Sequence, residues 1–170
     1  ELFTATAAEA LRLDVGLPLA AGRYYVHSNG SLVITLMAVP VYALFGPHYL
    51  AFKIIPLLVT LVGGLAWFLV VWQWWGRRAA WVFGLLYVFA PSAFLRTALI
   101  AKGDHAEAMA IVGVALLLAS RAAAAAQRAS GTRWAAAGGV VVGLGVFITY
   151  ATLPVWIGAG AVALVITRLR

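Results

Sequence analysis

At 170 residues the chain has the length of one soluble domain, but 65% hydrophobic residues, only 10% charged residues and a mean hydropathy of +1.01 exclude that class. A soluble domain carries about 25% charged residues. The net charge of +7, from twelve basic and five acidic residues, would suggest nucleic acid in a soluble protein; here the basic residues mostly punctuate apolar runs, as loop anchors of an integral membrane protein do.

The chain starts at Glu1 without a Met or a signal peptide, and we expect a piece of a larger protein. Residues 2–13 have the i, i+3, i+4 spacing of a short helix, too short to cross a bilayer and suited to its surface. A polar connection over 14–30 carries Arg23, Tyr24, Tyr25 and His27. Residues 31–45 are apolar, but Pro40 interrupts them and Gly46-Pro47 stops them, short of the ~20 residues a crossing needs. Residues 1–48 are therefore expected to form an outer loop with interfacial, juxtamembrane helices.

Membrane spans are expected over 49–75, 79–95, 106–126, 134–149 and 154–167. Trp72, Trp74 and Trp75 lead into Gly76-Arg77-Arg78 and are followed by Trp81, a mixture that marks a headgroup boundary. A polar loop is expected from Arg121 to Arg133, and Gly139-Val-Val-Val-Gly143 fits a small-residue helix-packing motif. Together these segments predict an all-α, polytopic membrane helix bundle forming one module.

Between the second and third spans, Arg96, Lys102, Asp104, His105 and Glu107 fall within twelve residues. Charge beside hydrocarbon is costly, so such a cluster is a functional-site candidate. The positive-inside rule assigns its face. With Arg77 and Arg78 in the cytoplasm, Arg121, Arg128, Arg133, Arg168 and Arg170 follow them, and the cluster falls outside. If residues 31–45 lie in the interface rather than cross, Glu1, Glu9 and Asp14 share that outer face and can line one cavity with the cluster.

The chemistry competes with blander readings. Asp104 followed three residues later by Glu107 is a capping-box pattern at the start of a span, although capping requires none of Arg96, Lys102 or His105. His27 and His48 suit interfacial polar positions, and the three histidines lack metal-ligand spacing, so no metal site is expected. Lys53 suits snorkelling to headgroups. No phosphate-cradling Gly-rich loop of the nucleotide-binding kinds is present.

Several stretches carry a family resemblance. They are the acidic first helix, the segment His27-Ser-Asn-Gly-Ser-Leu-Val-Ile-Thr-Leu-Met, the run from Phe45-Gly46 to Leu58, Trp75-Gly-Arg-Arg-Ala-Ala80, Ala90-Pro91-Ser92, and the acidic loop with Asp104 and Glu107. In this order the chain resembles the N-terminal transmembrane module of GT-C glycosyltransferases, in particular the protein-mannosyltransferase and aminoarabinose-transferase group. The resemblance implies transfer of a sugar from a polyprenyl-phosphate carrier to a protein, lipid or glycan acceptor at the non-cytoplasmic membrane face. It implies an outer-loop carboxylate as base, for which Glu1, Asp104 and Glu107 are the candidates. Arg23, Arg96 and Lys102 would hold the lipid phosphate, with His27 and His105 also binding substrate. A divalent cation is left open, because some branches of the family use one. Two other classes fit the bare residues: a transporter or channel fragment with an ionisable outer site, and a non-catalytic membrane assembly subunit.

Overall fold

The computed structural model describes residues 2–13, 30–100, 106–125 and 129–168. Among the described residues all regular structure is helical: α1 (Leu2–Arg12), α2 (Gly30–Phe45), α3 (Tyr49–Val88), α4 (Ser92–Ala98), α5 (Ala106–Ala124), α6 (Ala129–Ile148) and α7 (Leu153–Arg168), with a 3-10 turn at Tyr150–Thr152. Three stretches, Tyr49–Val88, Ala106–Ala124 and Ser130–Ile148, are long and apolar enough to cross a membrane.

A straight helix of 40 residues would reach about 60 Å, but α3 is folded. Gly76 has φ 85° and ψ 177°, a backbone region open essentially to glycine alone. There the chain doubles back, so that arm 77–88 lies antiparallel against arm 49–75. The Tyr87 hydroxyl donates to the Thr60 carbonyl at 2.7 Å, and Phe68 meets Trp81 edge to face with ring centroids 5.7 Å apart. The second arm stops at Val88, where the chain turns before Pro91, the N-cap of α4. Proline disfavours a helical residue before it, and the expected single span over 79–95 is thus two helices.

The first arm of α3 is the axis on which the rest is hung. α5 runs parallel to it: the Trp67 indole donates to the Met109 carbonyl at 2.9 Å and the Trp74 indole to Ser120 Oγ at 2.9 Å. Gly63 permits this approach, since a Cβ there would stand 2.9 Å from the Ala110 Cα. α6 returns antiparallel, with Gly138 over Leu118 and Gly145 over Ile111. These two glycines are seven residues apart and so share a face. Gly139 and Gly143, expected to be the packing motif, instead look onto open space.

A second cluster forms at the start of α3. Ala8 of α1, Ile34, Ala38 and Tyr42 of α2, and Ala51, Phe52 and Ile55 of α3 bury one another. The expected loop over 121–133 is largely helix, since α5 continues to Ala124 and α6 begins at Ala129. The first arm of α3 also presents an apolar surface: Leu57, Leu58, Leu61, Val62 and Leu65 are 46–60% exposed.

Candidate functional site

Of the residues singled out by sequence, Glu1, Arg23, His27, Lys102, Asp104 and His105 lie outside the described residues. Arg96 and Glu107 are described, and their environments differ. Arg96 is exposed in the last turn of α4. Glu107 is only 5% exposed, in the first turn of α5. A carboxylate there is favoured by the positive end of the helix dipole, and its burial turns it into the bundle.

The end of α4 is fixed to α3 from the side. Lys53 Nζ donates to the Leu99 carbonyl at 3.0 Å and Thr60 Oγ1 donates to the Ala98 carbonyl at 3.1 Å. Both satisfy carbonyls that the end of α4 leaves without helical partners. Lys53, expected to snorkel, is thus held by the protein, and its ammonium also stands 5.2 Å from the centre of the Tyr49 ring. Beneath this junction a cavity of about 90 Å³ is lined by Thr60, Gly63, Trp67, Tyr87, Phe94, Ala98 and Ala106, among others. The Thr60, Tyr87 and Trp67 donors all spend their protons on backbone carbonyls, which leaves an apolar interior.

A larger groove, about 570 Å³ and open to the outside, lies between α1 and the α2–α3 corner. Its walls are Ala5, Thr6 and Glu9 of α1, Tyr42 of α2, and Pro47, His48, Tyr49 and Phe52. Gly46, at φ 82°, turns the chain into this corner. His48 then caps α3, its Nδ1 accepting from the Ala51 amide at 3.1 Å. In the neutral ring that leaves the proton on Nε2 as a donor.

Glu9 receives a bidentate pair of hydrogen bonds from Arg12, at 2.7 and 2.8 Å. Those bonds hold the Glu9 carboxyl below the usual carboxylate range. Burial, followed by the nearby Glu9 charge, pushes the Tyr42 hydroxyl up. The groove therefore offers a carboxylate, an imidazole donor and hydroxyls over an aromatic floor.

Tyr49 and Lys53 join the two sites. Tyr49 walls the groove and carries the Lys53 ammonium over its ring, while the same ammonium holds Leu99 at the start of the charged segment. No family model, curated protein or solved structure matches the chain. The site is therefore argued from its geometry. Sequence reading gave Glu9 as a cavity-lining candidate but missed the parts played by Tyr42, His48, Tyr49 and Lys53. The only local signal was His48 after Gly46-Pro47, a helix-start pattern whose partners come from α1 and the α4–α5 junction. Among the described residues no group of His, Asp and Glu is arranged to hold a metal.

Proposed function

We propose that the chain is the membrane-embedded module of a multi-pass glycosyltransferase that takes a sugar from a polyprenyl-phosphate carrier at the non-cytoplasmic face. The observation that carries this reading is the Lys53 bridge. It ties Leu99, which precedes the charged stretch in sequence, to the Tyr49 wall of the groove, and the reaction would need groups from both. The substrates are the lipid-linked sugar and a hydroxyl-bearing protein, lipid or glycan acceptor.

Each step needs a distinct group. A carboxylate from Asp104, Glu107 or Glu1 takes the acceptor hydroxyl proton as the oxygen attacks the sugar's anomeric carbon. The bond from that carbon to the phosphate oxygen breaks as the new one forms, and the departing phosphate keeps the electron pair. Arg96, Lys102 and Arg23 stabilise the charge that builds on it, while His27 and His105 orient the substrates. The burial of Glu107 argues against a carboxylate that only caps a helix in water.

The test is transfer of radiolabelled sugar from a polyprenyl-phosphate donor in membranes holding the whole protein. Asp104→Asn and Glu107→Gln are each expected to cut the rate by about 10²–10⁴-fold if that residue is the base, with detergent-extracted protein still folded. Full activity in both, and in Glu1→Gln, would remove the carboxylate mechanism. Activity without any lipid-linked donor would remove the substrate class.

A further inference from the structure

The end of the bundle opposite the Lys53 bridge has its own chemistry. Four arginines come together there from three pieces of chain. Arg77 and Arg78 follow the Gly76 turn, Arg121 lies in the last turn of α5, and Arg133 lies near the start of α6. The Trp74–Ser120 hydrogen bond, 2.9 Å, sets the turn beside the end of α5. Gly138, built against the Leu118 side chain, sets the start of α6 beside the same end. All four arginines are exposed.

Nothing acidic nearby in the chain balances them: no Asp or Glu occurs between positions 15 and 103 or after Glu107. The described acids lie elsewhere: Glu9 is in α1, and Glu107 is in the first turn of α5, at the opposite end of that helix from Arg121. Around the arginines, Trp72, Trp74, Trp75, Trp81 and Trp134 are 41–65% exposed. The Gly76 turn is open, since a Cβ there would meet nothing within 4 Å.

We propose that this end is a binding site for anionic phospholipid headgroups, with the arginines on the phosphates and the tryptophans at the headgroup level. Guanidinium groups match phosphate oxygens through paired hydrogen bonds, and exposed indoles favour the membrane–water boundary. The absence of carboxylates there among the described residues selects among lipids. A zwitterionic headgroup brings an ammonium that finds no acid here and meets four positive charges, whereas an anionic headgroup brings only what the arginines lack. The inference rests on the membrane reading of the chain but not on the transfer chemistry.

The tryptophans supply the assay. The full chain is reconstituted in bilayers mixing phosphatidylglycerol and phosphatidylcholine, with either lipid brominated, and the quenching of indole fluorescence gives their relative affinity. Wild type is expected to favour phosphatidylglycerol on the order of fivefold. The pairs Arg77→Gln/Arg78→Gln and Arg121→Gln/Arg133→Gln should each lower that ratio, and the four together should bring it near one. Arg12→Gln, at the other end, should leave it unchanged. Equal quenching by the two lipids in wild type overturns the site, as does a preference that survives both pairs. Quenching by neither lipid overturns the membrane reading itself, and the site with it.

Discussion

Two glycines carry much of the architecture at the residue scale. Gly76 adopts φ 85°, ψ 177°, so Gly76→Ala is expected to destabilise the hairpin by about 1–3 kcal/mol. Gly63→Ala meets Ala110 backbone at 2.9 Å, which cannot swing aside as a flexible side chain can. A cost of about 1–3 kcal/mol follows from overpacking the α3–α5 contact. Thermal unfolding in detergent reads both, and an unchanged midpoint in either variant would refute the corresponding contact. The Glu9–Arg12 pair makes a pH prediction. The folded Glu9 carboxyl titrates below its ordinary value of 4.5 because Arg12 donates to it. Its contribution is thus present above the unfolded value and lost as pH falls through the folded one. The stability difference between wild type and Arg12→Gln should be small, as the pair is exposed, and should vanish in acid. A difference that grew as pH fell below 4.5 would contradict the assignment.

At the scale of elements, α4 is too short to hold its own position and depends on α3. Thr60→Val removes one hydrogen bond to the end of α4, worth about 1 kcal/mol, and Lys53→Met removes another together with the contact to the Tyr49 ring. Either change should loosen α4 and speed trypsin cleavage after Arg96, most of all in the double variant. Cleavage at the wild-type rate in the double variant would mean that other contacts hold the junction.

The whole molecule has two chemically different ends. His48, Tyr49, Lys53 and Leu99 gather at one, Arg77, Arg78, Arg121 and Arg133 at the other, with exposed leucines and valines between. The chain contains no cysteine, so single introduced cysteines report cleanly on sidedness. Thr6→Cys and Leu99→Cys should react alike with a membrane-impermeant maleimide added to intact cells, while Ala79→Cys and Ala123→Cys should stay protected. Opposite labelling of positions 6 and 99 would separate the groove from the charged segment and sink the shared site. Equal labelling of all four would argue against a bundle that crosses the membrane.

Composition and periodicity were enough to determine the helical class, because long apolar runs broken by Gly, Pro and Arg have few other ways to satisfy their backbone. They also located most helices to within a few residues, and Gly76-Arg77-Arg78 marked the reversal between two arms. Continuous hydrophobicity across 79–95 outweighed the one local signal of a break there, Pro91, which disfavours helix in the residue before it. The sequence could not choose Gly138 and Gly145 over Gly139 and Gly143, because small residues lie on more than one face of α6 and only its rotation against α5 selects one. The same limit applies to the site. The cluster around Glu107 stands out as charge in an apolar chain, but Lys53 and Tyr49 look like ordinary interfacial residues. Their role arises only when α1, α2 and the α4–α5 junction meet on α3, a matter of contacts between segments that no local pattern encodes.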